Sequence, residues 1–390
     1  MLRTLYDDGP ISRAELARRT GLTRTTVSEL VGAFVEQGLA REIGPGPSTG
    51  GKQPILLELV EDSRHVIGVD LGERAFSAAI VNLRGGILRE VSHPVDGYDG
   101  TAAIELVYRL VDELTATASG TLLGIGVGAP GVIDTSSGTI RWAVNLDWRD
   151  LPLGALLSER YGVPASVAND SRAAALAVSL FSTDPGGTRN LVAIKVGHGI
   201  GAGIVLGGEL LHGDGHGAGE IGHIAVVDDG AQCRCGRFGC LETVASSRAI
   251  VRAANEAAER APESTLGRLA AVNAATDGVP DLTLGDVATA LTEGDPEAMS
   301  IVTTAGRYLG QAVAALVGIL NIRRIVLLGS VTTLGEPWLA AVRDEADRRS
   351  LGLLADATTL EIDRPRGNAV VLGASALLLT GELRLGIATR

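Results

Sequence analysis

"HVIGVDLGERAFSAAIVNLRGGILRE", residues 65–90, and "LVAIKVGHGIGAGIVLGGELLHG", residues 191–213, share one rhythm: apolar run, glycine turn, apolar run, glycine turn, apolar run. Short apolar runs punctuated by glycine read as strands joined by tight turns, so each stretch predicts a β-meander. The second follows the first by about 125 residues, and a repeat on that scale points to two related lobes. After each meander the texture changes to alternating helices and strands, the pattern of an α/β fold. In the first lobe we expect a helix near 101–118, a strand at 122–128, a helix near 151–160, a strand at 164–168 and a helix at 170–181. In the second, a long helix near 296–320 should run into the strand "RRIVLLGS". A last helix near 373–383 should pack back on the first lobe. The expected organisation is residues 1–60, then 61–185 plus 372–390, then 186–371.

The stretch "GVGAPG", Gly126 to Gly131, matches the dinucleotide fingerprint G-x-G-x-x-G. That fingerprint needs a helix to begin inside it, so that the helix N-terminus meets a pyrophosphate. Pro130 and the following "VIDTSSGTI" read as turn and strand instead, which excludes a Rossmann site.

The chain has 390 residues, 45% of them apolar, enough for two or three domains with sizeable cores. With no apolar run of about 18 residues and no secretory h-region, the expectation is a cytoplasmic protein with no membrane partner. The net charge is −12, yet residues 1–60 carry seven basic and seven acidic side chains, so the acidic excess lies wholly in residues 61–390. The body should therefore repel nucleic acid, and any DNA contact must come from the first sixty residues.

Those sixty residues have the order such a contact needs. In "ISRAELARRTGLTRTTVSELVGAFVEQGLARE", Ser12 caps one helix, with Glu15 completing a capping box, and Gly21 ends it. Thr23 caps the next, whose Val27, Leu30, Val31 and Phe34 form one buried stripe. Its other face begins Arg24, Thr25, Thr26 and Ser28, side chains suited to base edges and phosphates in a major groove. A hairpin follows, "LAREIG" and "ILLELV" around a Gly/Pro-rich tip that carries Lys52 and Gln53. The sequence reads as a winged helix-turn-helix; the plainer alternative is a small helical subdomain with a loop. "MLRTLYDDGP" leaves only about two turns for the first helix, so room remains for residues upstream.

All three cysteines fall in "HIAVVDDGAQCRCGRFGC", residues 223–240. The spacing His223-x9-Cys233-x-Cys235-x4-Cys240 offers four soft or borderline ligands, a set suited to tetrahedral zinc. With every position filled by protein, such a site is structural. The alternative is a loop of free thiols beside an unrelated histidine. A pinned loop would hold Glu220, His223 and Glu242 in place, and converging carboxylates are what sugar hydroxyls need; otherwise the two glutamates are solvated loop charges. Asn169 and Asp170 end an apolar strand and open an alanine-rich helix. Asp170 is either an N-cap or a carboxylate that binds a hydroxyl or removes its proton.

Taken together, the winged helix, "APGVID", "NLDW", "ANDSRAAAL", "GIGAGIV", "GAGEIGH" and "CRCGRFGCLETVAS" resemble the ROK (repressor, open reading frame, kinase) family over nearly the whole chain. The resemblance implies a two-lobed sugar kinase/actin-like (ribonuclease H-like) α/β fold behind an α+β winged helix-turn-helix, with a sugar between the lobes. Carried over, Asn169, Asp170, Glu220, His223 and Glu242 would contact the sugar, and Gly131 and Asn145 would join them. Asp170 stands where the kinases keep their base. His223, Cys233, Cys235 and Cys240 would hold Zn2+, so His223 would serve both sites.

The family holds repressors and kinases. Where kinase members resemble D-x-G-G-T, this chain has "DLGERA"; where they have G-T-G it has "GHG"; where they have G-G-G it has "LLGSVTT". Glu73, Arg74, His198 and Ser330 thus replace small or hydroxyl residues. A carboxylate about 4 Å from a phosphate charge adds repulsion of about 4 kcal/mol at a surface-like dielectric. Each lost charged hydrogen bond costs about 1.5–3 kcal/mol more. ATP binding should fall by several powers of ten. We therefore expect a sugar-responsive transcriptional regulator, a repressor, with a sugar or sugar phosphate as effector. It should act as a homodimer or homotetramer on a palindromic operator with half-sites about 10 base pairs, or a multiple, apart. The alternatives are an ATP-dependent sugar kinase with a DNA-binding appendage, and a sensor switched by a partner protein.

Overall fold

Ser12 and Gly21 bracket a helix as the sequence predicts. The Ser12 hydroxyl accepts from Glu15 N at 3.2 Å, and Gly21 closes the helix in the left-handed conformation at φ 68°. The capping box is only half made, because the Glu15 carboxylate turns to Arg18 and Arg19 instead of back to Ser12. A guanidinium is the stronger partner for a carboxylate than a neutral amide. These contacts belong to a computed structural model of the chain. It describes residues 1–390 apart from 48–52, 73, 96, 98, 118–119, 182–188, 278–280, 364–367, 382 and 384–390.

The winged helix-turn-helix comprises α1 (Leu2–Asp7), β1 (Ile11–Ser12), α2 (Arg13–Thr20), α3 (Arg24–Glu36), β2 (Ala40–Pro45) and β3 (Ile55–Leu59), with sheet order β1-β3-β2. Val27 and Val31 are buried on α3, but Leu30 is 38% exposed. The expected four-residue stripe is therefore narrower: a helix packed against only one small sheet buries fewer positions than a full i, i+3, i+4, i+7 face.

The first lobe runs through β4 (Arg64–Leu71), β5 (Ala75–Asn82), β6 (Ile87–Pro94), α4 (Gly100–Thr115), β7 (Thr121–Ala129), β8 (Val132–Asp134), β9 (Thr139–Ala143), β10 (Trp148–Leu151), α5 (Leu153–Tyr161), β11 (Ala165–Asn169) and α6 (Asp170–Phe181). The second holds β12 (Leu191–Val196), β13 (Ile200–Leu206), β14 (Glu209–Leu210), α7 (Glu242–Ala245), α8 (Ser247–Arg260), α9 (Thr265–Asp277), α10 (Leu284–Thr292), α11 (Pro296–Leu320), β15 (Arg324–Leu328), α12 (Glu336–Arg349), α13 (Gly352–Ala355) and β16 (Thr359–Ile362). The chain ends with α14 (Ala369–Gly381).

The two principal sheets repeat one topology. In the order β11-β7-β4-β5-β6 the meander is antiparallel and the remaining strands parallel; β14-β13-β12-β15-β16 reads the same way from its other edge. The echo between residues 65–90 and 191–213 is thus a duplicated sheet. In the first lobe, Leu106, Leu110 and Leu114 of α4 bury against Ile67, Val69 and Ile125. In the second, α11 packs on α12 and α8 around the fully buried Trp338. The last helix starts at Ala369, four residues before the expected 373, because the Asn368 side chain accepts from Val370 N at 2.9 Å and caps it.

The chain divides into two compact units. One is Met1–Ala173 with Leu180–Thr183 and Gly367–Arg390; the other is Ala174–Ser179 with Asp184–Arg366. The winged helix falls in the first unit and shares a core with its lobe: Leu5, Leu16, Val27, Val31 and Leu57 pack in one cluster with Val66, Leu83, Leu378 and Leu379. Among the described residues, no helix is long and apolar enough to cross a membrane.

Candidate functional site

In the first unit the polar cluster sits at the end of β11. Asn169 is buried, and its amide donates to the Gly131 carbonyl at 3.1 Å while its own oxygen accepts from Ser171 N at 3.0 Å. Asn169 thereby caps α6, and Asp170 Oδ1 adds a bond from Ser171 N at 2.7 Å. The cap at this strand end is therefore Asn169, and Asp170 is the first residue of the helix, at the C-terminal edge of a parallel strand. Gly131 must be glycine. Its φ is 95°, and a Cβ there would lie 2.1 Å from the Trp142 carbonyl oxygen. Asn145 is exposed in the turn Val144–Leu146. Close by in sequence, Asp134 accepts from the Ser136 hydroxyl at 2.6 Å and from Arg141 at 3.0 Å. The Ser136 hydroxyl foremost, then Ser137 and Arg141, hold that carboxyl well below the usual carboxylate range. None of the expected site residues belongs to this network, although an Asp two residues before a serine is a recognisable Asx-turn signal.

In the second unit a loop gathers His223, Cys233, Cys235 and Cys240, whose ligand atoms all lie within 4.8 Å of one another. Main-chain bonds wrap it: Leu241 N donates to Ile224 O, Cys233 N to Arg237 O, and Gly239 N to Ala231 O, at 2.7–3.0 Å. Gly239 has φ 70°, and a Cβ there would meet the Val227 carbonyl oxygen at 1.9 Å. The cluster fits a tetrahedral ion. Metal–sulfur bonds of about 2.3 Å and a metal–nitrogen bond of about 2.0–2.1 Å give S···S edges of about 3.8 Å and S···N edges of about 3.5–3.6 Å. Here Cys235 and Cys240 sulfurs are 3.7 Å apart, and Cys233 Sγ is 3.6 Å from His223 Nδ1.

The thiols also carry a thermodynamic signature. Burial pushes Cys240 up to about 12 and raises Cys233 as well. Burial opposes ionisation of Cys235 too, but the Arg237 backbone and the two neighbouring thiols bring that one down. Three thiolates crowded together repel unless a cation compensates them.

The histidine–cysteine loop sits between the two candidate glutamates. Glu220 precedes the turn Ile221–His223, where His223 N donates to the Glu220 carbonyl at 3.2 Å. Glu242 opens α7, and its Oε2 accepts from Ile200 N at 3.2 Å, at the end of the "GHG" turn between β12 and β13. The structure thus brings Gly131, Asn169 and Asp170 together in one unit, and groups Glu220, His223, Glu242 and the cysteines along one segment of the other.

On the winged helix, Arg24, Thr25 and Ser28 are exposed on α3 and Gln53 is exposed before β3. Thr26 is half-buried, with its hydroxyl 2.9 Å from that of Thr23, so it supports the cap. Lys52, like Glu73 of the first-lobe phosphate loop, lies outside the described residues. Arg3, Arg13, Arg18, Arg19 and Arg41 all bind carboxylates of the same domain. Arg24 is in none of those pairs.

This duplicated fold, the loop that gathers one histidine and three cysteines, and the winged helix together define a class, and comparison with known proteins agrees. The ROK family profile matches residues 66–380, and a winged helix-turn-helix DNA-binding profile matches residues 1–41. The chain belongs to the ROK family, and it is a DNA-binding transcriptional regulator within it. It is similar to the xylose repressor of Caldicellulosiruptor bescii, 29% identical over 387 residues, covering 98% of this chain and 95% of the repressor. A solved ROK family transcriptional regulator, a homolog of the E. coli MLC protein, superposes with TM-score 0.81 at 26% identity, covering 98% and 97% of the two chains. The glucokinase of Halalkalibacterium halodurans is 37% identical over 326 residues, covering 82% of this chain and 96% of the enzyme.

Proposed function

We propose that this regulator is a repressor of carbohydrate genes that releases its operator when a sugar binds. Asn169 and Asp170 supply hydroxyl contacts from the first unit, with Gly131 and Asn145 beside them; Glu220, His223 and Glu242 supply them from the second. Zn2+ holds the second set. His223 turns Nδ1 to the sulfurs, which leaves Nε2 to donate to a sugar oxygen, and the ion fixes that tautomer. Cys233, Cys235 and Cys240 complete the zinc site.

Asp170 then grips a hydroxyl without taking part in phosphoryl transfer. Arg74 and His198 stand where the kinase loops have threonine and Ser330 stands where they have glycine, and the Ile200 amide already serves Glu242. The alternative, a sugar kinase with a DNA-binding appendage, draws on the likeness to a glucokinase and would show as ATP turnover.

The observation that carries the reading is a winged helix-turn-helix joined to a ROK-family body. Arg24, Thr25, Ser28 and Gln53 would read the operator, with Lys52 at the wing. A single winged helix covers too few base pairs, so the protein acts as a homodimer or a pair of dimers on a palindrome. The test is operator binding on the protein's own promoter region with D-xylose, D-glucose and N-acetylglucosamine, free and as phosphates. Release by one of them, with no ATP consumed, is the expected result; tight binding indifferent to all of them refutes the sugar switch.

A further inference from the structure

We propose that α6 links the sugar contact to the DNA reader, and that Phe181 is the positioning residue at its far end. The proposal rests on the reading of Asp170 as a sugar contact.

One end of α6 is built by Asn169 and Asp170, which hold Ser171 N at 3.0 and 2.7 Å. A hydroxyl bound by either residue pulls on groups that already cap this helix. Near its start, α6 is clamped: a Cβ on Gly373 of α14 would lie 1.6 Å from the Ala173 carbonyl oxygen, so the two backbones touch. The other end is about 16 Å away along the axis, at 1.5 Å per residue. There Leu180 and Phe181 pack on the shared cluster in which Leu5, Tyr6, Leu16, Val27 and Val31 of the winged helix join Val66, Leu83, Leu378 and Leu379.

Phe181 meets the turn between β5 and β6. A Cβ on Gly85 would lie 2.7–3.0 Å from its ring atoms. That turn is fastened to the winged domain from its other side. The Arg84 guanidinium stacks on the Tyr6 ring of α1 at 4.2 Å, and Leu83 is buried in the shared cluster. Leu83 N also donates to Glu61 O at 3.0 Å, and the Asn82 amide to Asp62 at 2.7 Å, in the segment that leads out of β3. A displacement of α6 therefore reaches Tyr6 through two contacts, Phe181 on Gly85 and Arg84 on Tyr6. Close-packed groups of this kind move between discrete arrangements and do not yield gradually.

The test uses the full chain, with calorimetry for sugar binding and fluorescence anisotropy for operator binding, in D-xylose and in D-glucose. Phe181→Ala is expected to bind sugar and operator each within about threefold of the unmutated protein, while the sugar-induced loss of operator affinity shrinks at least tenfold. Arg84→Met, at an exposed position, should uncouple the two in the same way, and Phe181→Leu should restore most of the response. If both uncoupling variants keep the full response, the link is wrong while the sugar reading stands. If the unmutated protein is released by none of the sugars and sugar phosphates named above, the sugar reading fails and takes the link with it.

Discussion

The side-chain amide of Asn368 donates to Asp70 Oδ2 at 2.8 Å, joining residues 298 positions apart. Its oxygen meanwhile accepts from Val370 N, so one side chain both caps α14 and fastens it to the end of β4. Asp70 is only 9% exposed, and a buried carboxylate oxygen that loses a donor costs about 1–3 kcal/mol. Asn368→Ala should lower unfolding stability by about that amount, read from urea midpoints, and Asn368→Asp should do at least as much damage by placing two carboxylates together.

The shared core makes a second prediction. Leu57 of the winged helix and Leu378 of α14 are buried in the same cluster. Truncating a buried leucine costs about 2–5 kcal/mol. Leu378→Ala should therefore speed hydrogen exchange in α2 and α3 as well as in the first lobe. A winged helix on a flexible tether would leave α2 and α3 unaffected.

Removal of the metal should be costly. The purified chain is expected to contain one zinc ion per 40.1 kDa, measured by elemental mass spectrometry. Chelation or Cys235→Ser should lower sugar affinity at least tenfold, about 1.4 kcal/mol, because Glu220, His223 and Glu242 lose their brace. Operator affinity without sugar should change little.

Among the arginines of the winged helix, Arg24 and Arg18 make a matched pair for testing DNA contact. Arg24 makes no ion pair among the described residues, whereas Arg18 already binds Glu15. Arg24→Ala should weaken operator binding by about 1–3 kcal/mol. Arg18→Ala removes only an exposed salt bridge and should leave operator binding and the unfolding midpoint nearly unchanged.

Acid titration offers a further check on that pair. Hydrogen bonds from Arg18, then Arg19, hold the Glu15 carboxyl at about 2, below its ordinary 4.5. A depressed carboxylate contributes stability that is complete above 4.5 and is lost as pH falls toward 2. Circular dichroism of the winged helix should thus show a loss in that window that Glu15→Gln removes, with no effect of Glu15 between pH 6 and 8.

Much of the protein is legible without coordinates because it is local. The paired meanders announce a duplicated sheet through glycine spacing, the four clustered histidine and cysteine side chains fall between His223 and Cys240, and Ser12, Gly21 and Thr23 mark helix ends within a turn of their partners. Folding alone decided three other things: that Asn368 meets Asp70, that Phe181 meets Gly85 beside Arg84 and Tyr6, and that Leu30 stays exposed while Val27 and Val31 do not. Periodicity and capping record what a residue does with its near neighbours in the chain. Which distant surfaces close on one another depends on how the assembled layers pack, and no single stretch of sequence carries that.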